Sequence, residues 1–166
     1  MTRREREVTD PAEIKKMLDQ CMVVHIGLVD DGMPYIVPMN YGYEFIDDQL
    51  VIYVHGARKG YKTDIIMKNP VCCFEMECNV QPFEGRLPCQ YGTVYESIMG
   101  RGMIEILEDP EEKIHAMTVL MKTQSGKDFT FNEKLVSIVS VMRIRVSEYS
   151  AKRRPLPVAK AVEVKH

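Results

Sequence analysis

Three neighbouring segments limit most strongly what this chain can fold into. Met22 to Leu28, Pro34 to Phe45 and Leu50 to Val54 are rich in Val, Ile, Tyr and Met, with the turn-forming segments DDG (30–32) and DDQ (47–49) between them. Links that short join antiparallel neighbours, because a parallel crossover needs a dozen or more residues. Val71 to Glu77, Thr93 to Leu107 and Val136 to Val146 continue the pattern. In the last, Val136, Ile138, Met142, Ile144 and Val146 share one parity and Arg143, Arg145 and Ser147 the other, as one buried and one wet face require. The expectation is about six antiparallel strands.

Two stretches carry helix-start chemistry. Asp10-Pro11-Ala12-Glu13 places an acidic cap before a proline at the first helical position, and Ile14, Met17, Leu18 and Cys21 follow at helical spacing. The same device at Asp109-Pro110-Glu111-Glu112 precedes Ile114, Met117 and Met121. Helices over 11–20 and 110–122 follow. Successive strands with short turns and few helices predict a mainly β protein, an antiparallel barrel with peripheral helices, not a parallel doubly wound sheet. Residues 79–92 contain Pro82, Gly85, Pro88 and Gly92 and are not regular throughout, and the tail AKRRPLPVAKAVEVKH is expected to leave the core.

A length of 166 residues suits one domain, 1–166, with room for a substantial core. The formal charge of -2 excludes a surface that generally coats nucleic acid, so any basic function is local. MTRREREVTD has no apolar leader region, and no later stretch is apolar enough to span a bilayer, so a cytoplasmic protein is expected. Cys21, Cys72, Cys73, Cys78 and Cys89 are odd in number and lack CxxC spacing, which speaks against a disulfide framework and a zinc knuckle. His25, His55, His115 and His166 lack ligand spacing too. A metal site could arise only from tertiary proximity, and none is expected.

The junction HGARKGYK (55–62) is the chemically distinctive stretch. Gly56 and Gly60 free the backbone after an apolar strand, and 61–68 can form a helix that Asn69-Pro70 ends. Lys62 then lies in the first turn, facing the positive end of the helix dipole, with Arg58 and Lys59 adding repulsion. An anion reverses each of these terms: free N–H groups donate to it, and each charge-assisted bond contributes about 1.5–3 kcal/mol. Solvated lysines are the plain alternative, since no Walker pattern is present. His55, beside this loop, is a candidate catalytic residue, or a histidine bonded within the rim.

GMPYIVPMNYGYE (32–44), LVIYVHGARKGYKTDIIMKNPVCCFEME (50–77) and YGTVYESIMGRGMIEIL (91–107) together resemble the FMN-binding split-barrel proteins related to pyridoxamine 5'-phosphate oxidase, and within them the nitroimidazole-resistance (Nim) branch. The resemblance covers about residues 8–147, leaving 148–166 as a tail. It implies a six-stranded antiparallel split barrel, a homodimer, and FMN at the subunit interface. By the same resemblance, Lys62 contacts the FMN phosphate; Gly60 and Tyr61 stand where the oxidases carry hydroxyl and arginine contacts, a departure that weakens phosphate binding or shifts it to Arg58 and Lys59. Val37, Pro38, Met39 and Asn40 border the flavin ring, and His55, Gly56 and Ala57 follow the ribityl and phosphate portion. Ser97 and Ile98 contact the flavin, often from the other chain. The implied function is an FMN-dependent oxidoreductase acting on a small planar or nitroaromatic substrate, with a nicotinamide cofactor or another compound as electron donor. RIRVSEYSAKRRPLPV lacks the histidine pattern with which the oxidases grip substrate phosphate, so vitamin B6 oxidation is not implied.

Two rivals remain at this level. A non-catalytic split barrel could hold flavin or haem, with His55 and the twelve methionines as its features, although methionines also serve as adaptable core filling. A nucleic-acid-binding barrel using Arg143, Arg145, Lys152, Arg153 and Arg154 is disfavoured by the net charge, so neither nucleic acid nor membrane is an expected partner.

Overall fold

The computed structural model describes residues 3–157. Eight strands form one antiparallel sheet: β1 Glu7–Val8, β2 Val24–Asp30, β3 Met33–Met39, β4 Tyr41–Ile46, β5 Gln49–Gly56, β6 Val71–Phe83, β7 Gly92–Ile106 and β8 Ser140–Arg154. Four α-helices accompany them, α1 Pro11–Gln20, α2 Tyr61–Lys68, α3 Pro110–Ser125 and α4 Glu133–Val136. The spatial order is β3-β2-β6-β7-β8-β5-β4, with β1 added to β8. This is the expected split barrel, with eight strands where six were expected.

The extra strands have physical causes. The alternation over Pro34–Phe45 reads as one strand, yet the chain changes partner at Asn40: β3 pairs with β2, and β4 with β5. Consecutive strands thus lie at opposite edges of the sheet, and the barrel is split between them. Pro34 and Pro38, which cannot donate to a ladder, sit on edge strand β3. Both expected hairpins have two-residue loops, with positive φ at Asp31 and Gly32 and at Asp47 and Asp48, the conformation that matches the twist of the flanking strands.

At the carboxy end two expectations are corrected. Val136 ends α4, which Asn132 caps through Leu135 N (3.0 Å), and Ile138 is exposed, so β8 starts only at Ser140. Ala151-Lys152-Arg153-Arg154, expected in a departing tail, extend β8 and pair with β7 and β1. The remainder of that tail, 158–166, lies outside the described residues. β6 likewise runs on to Phe83 past an irregularity at Cys78–Gln81, where Asn79 has φ 54°.

Inward-facing Ile26, Leu28, Ile52, Phe74, Met76, Ile98 and Ile144 fill the barrel, and Met17 and Leu18 of α1 join the same core. A second cluster forms where α3 brings Ala116 and Met117 onto Val51, Tyr53 and Val141. Helix α2 is too short to be stable alone. It buries Ile65 and Ile66, each contributing roughly 1.5–3 kcal/mol. The surface pair of Lys68 and Asp30 at 3.5 Å contributes at most about 1 kcal/mol, so apolar docking holds the helix.

Candidate functional site

The basic junction is built where β5 ends at Gly56 and α2 begins at Tyr61. Gly60 is the N-cap residue, with φ 151°, and no side chain caps the helix. By contrast, Asp10, Asp109 and Asn132 cap α1, α3 and α4. The N–H groups of Thr63 and Asp64 bond to Gly60 O at 3.0 and 3.2 Å, leaving those of Tyr61 and Lys62 for an external acceptor. Thr63, buried, donates its hydroxyl to the same carbonyl at 2.6 Å and fixes the turn.

Gly56 and His55 point to opposite faces of β5. A Cβ on Gly56 would lie 2.7 Å from Lys62 Nζ and 3.5 Å from Met39 Cε, so the lysine folds back over the strand end and beside β3. His55 is half-buried, and its Nδ1 is enclosed without a hydrogen-bond partner. Burial, and then the Lys62 charge, lower the His55 pKa, so the imidazole is neutral at pH 7. Ala57, Arg58 and Lys59 are exposed on the connecting turn. Cationic and N–H donors therefore converge beside a neutral histidine.

Asn40, at the split itself, is held by a helix that the sequence does not connect with it. Its Nδ2 donates to Met22 O and to Gln124 Oε1, each at 3.2 Å. Gln124, near the end of α3, donates in turn to Tyr41 O at 2.8 Å. With both amide hydrogens of Asn40 engaged, its Oδ1 is the atom left to accept. Sequence reasoning missed Gln124, for which no local signal exists. Val37 faces the interior opposite Ile26, whereas Pro38 faces outward opposite His25.

Met39, His55, Gly56 and Lys62 thus come together, with Asn40 at the end of the same strand. Ser97 and Ile98 do not join them within one chain. The ladders run Pro38–His25–Glu75–Met99 across β3, β2, β6 and β7, and Ser97 stands one outward position along from Met99. Three strand spacings of about 4.8 Å put Ser97 and Ile98 roughly 15 Å from β3. The Ile98 side chain is buried in the core, so only its backbone could meet a ligand.

Ser97 belongs to an outward face of β2, β6, β7 and β8 that encloses a concavity of about 1200 Å³, lined among others by Tyr35, Ile36, Val71, Glu75, Met99 and Arg101. Ile36, Val71, Met99 and Met103 are exposed on this face. On it, His25 stands directly opposite Glu75, and Glu77 lies one outward position along β6. Burial, and then Glu77, push the Glu75 carboxyl up to about 7. No helix among the described residues is long and apolar enough to cross a membrane.

Comparison with known proteins agrees with this architecture. The family model described as pyridoxamine 5'-phosphate oxidase matches residues 10–153. A proposed 5-nitroimidazole antibiotic resistance protein from Bacteroides thetaiotaomicron is 30% identical, with TM-score 0.75 over 89% of this chain and 86% of that one. Two structures share the fold at lower identity. A flavocytochrome from Azotobacter vinelandii is 18% identical, with TM-score 0.78 over 98% of this chain and 76% of its own. An FAD- and haem-binding protein from Mycobacterium smegmatis is 16% identical, with TM-score 0.76 over 94% and 77%. No curated protein matches the chain. With a match across most of its length and the split between β3 and β4, this chain belongs to the pyridoxamine 5'-phosphate oxidase family, on its nitroimidazole-resistance side.

Proposed function

We propose that this protein is a homodimeric, FMN-dependent oxidoreductase that reduces a small planar or nitroaromatic compound with electrons from a nicotinamide donor. The observation that carries the proposal is the Lys62 ammonium lying over Gly56 at the uncapped start of α2. A phosphomonoester bears nearly two negative charges near pH 7 and needs such a set of donors. The Tyr61 and Lys62 N–H groups would donate to it, and the Lys62, Arg58 and Lys59 side chains would neutralise it.

When bound, FMN supplies the hydride and electron transfer. Val37, Pro38 and Met39 would border its ring, and Asn40 Oδ1, fixed as an acceptor by Gln124, would take an N–H from the ring's polar edge. His55, neutral and with Nδ1 unpartnered, would hold or pass a proton beside the phosphate end. Ser97 and the backbone of Ile98 would come from the second subunit, because within one chain β2 and β6 stand between them and β3. Docking of two copies through the outward face would cover Ile36, Val71, Met99 and Met103, whose exposure in one chain suits an interface.

The test is the purified protein reconstituted with FMN. Consumption of a reduced nicotinamide cofactor that depends on both FMN and a nitroaromatic acceptor is expected. Tight FMN binding without turnover by any nicotinamide donor or acceptor would leave the non-catalytic flavin-binding alternative instead.

A further inference from the structure

His25, Glu75 and Glu77 come from strands far apart in sequence, yet one ligand atom from each lies within 4.8 Å of the others. We propose that these three side chains form a binding site for a divalent transition-metal ion on the outward face of the barrel. The sequence concealed this site, because positions 25, 75 and 77 have no metal-ligand spacing until β2 and β6 pair and set His25 opposite Glu75.

The distances suit coordination. His25 Nδ1 is 3.4 Å from Glu75 Oε2 and 3.8 Å from Glu77 Oε2. It has no exposed surface and no hydrogen-bond partner, although two carboxylates face it. Two carboxyl groups are thus gathered around a nitrogen that has no partner. Zinc bonds of about 2.1 Å to nitrogen and oxygen, at tetrahedral angles, set ligand atoms about 3.4 Å apart. His25 and Glu75 already stand at that separation, and small side-chain rotations bring in Glu77.

Imidazole with two carboxylates selects a borderline ion such as zinc or iron(II) over calcium or magnesium, which take oxygen ligands. Three protein ligands leave at least one position open. His25 and Glu77 also line a second cavity, of about 660 Å³, with Pro38 and Asn79, so an exogenous ligand could reach the ion. This site is separate from the Lys62 junction but borders positions proposed to meet the flavin, because His25 pairs with Pro38 and Glu77 with Ser97, so zinc is titrated without flavin.

The test is calorimetric titration of the full chain with zinc, no flavin added, in a Cys73→Ser/Cys89→Ser background that removes the exposed thiols. One saturable zinc per chain is expected, with affinity falling at least about tenfold in His25→Gln and in Glu75→Gln. Glu77→Gln, at a more exposed position, supplies a third variant least prone to misfolding, and melting curves without metal verify that each is folded. Absence of a saturable site, or unchanged affinity in the folded variants, would overturn the proposal. Neither result bears on FMN binding, which is measured separately.

Discussion

Gly56 leaves the space that the end of Lys62 occupies: a Cβ there would lie 2.7 Å from Nζ and 2.9 Å from Cε. Those atoms end a flexible side chain, so Gly56→Ala moves the lysine more readily than the backbone. Folding stability should change by less than about 1 kcal/mol. FMN affinity should fall about tenfold or more, as expected when one charge-assisted contact of about 1.5–3 kcal/mol is displaced. Paired thermal melts and flavin titrations check this, and a stable variant with native affinity would place the phosphate elsewhere.

Gln124 links α3 to the split by donating to Tyr41 O and Met22 O and accepting from Asn40. Gln124→Leu removes all three contacts at similar size. A stability loss of about 1 kcal/mol is expected from the unpaired backbone carbonyl. Affinity for FMN should also weaken several-fold, because Asn40 is no longer oriented. Loss of stability with full affinity would restrict Gln124 to bracing the junction.

Helix α3 packs on β4 without intervening side chain at Gly42, where an added Cβ would meet Leu120 Cα at 2.3 Å and Leu120 N at 2.6 Å. Backbone cannot swing aside as a lysine tip can. Gly42→Ala should therefore destabilise by about 2 kcal/mol or more, towards the upper range for overpacking. The urea unfolding midpoint measures it, and a shift worth less than about 0.5 kcal/mol would mean that α3 moves freely.

His55 carries a pH signature. Burial and the Lys62 charge hold its pKa below 6.5 in the folded state, so between the two values the unfolded chain binds more protons. Its contribution to stability is present above about pH 6.5 and is lost as pH falls below that value. His55→Gln should flatten this part of the stability profile. Bound phosphate offsets the Lys62 charge, so FMN should raise the His55 pKa, an effect seen in the imidazole resonances on NMR titration. No upward movement would separate His55 from the anion site.

Local chemistry explains what could be read from the residues. The Asp-Pro starts of α1 and α3, the two-residue turns at Asp31-Gly32 and Asp47-Asp48, and the glycines around Lys62 each act over a few positions, and each stands where expected. Long-range pairing was not legible. Alternation runs smoothly through Asn40, although the partner strand changes there, and Val136 keeps the parity of β8 from within a helix turn. Charged Lys152, Arg153 and Arg154 resemble a tail until β7 pairs with them. Gln124 and the His25, Glu75 and Glu77 group were hidden for the same reason: their neighbours are set by the folded sheet and the helix packed on it.

The most direct measurement compares FMN with riboflavin, which differs by the phosphate, in the wild type and in Lys62→Ala, by quenching of flavin fluorescence. A clear wild-type preference for FMN is predicted, with Lys62→Ala weakening FMN at least about tenfold, or roughly 1.4 kcal/mol, and leaving riboflavin nearly unchanged. Equal affinity for both flavins in the wild type, or an FMN dissociation constant untouched by the substitution, would contradict a phosphate seated at the start of α2.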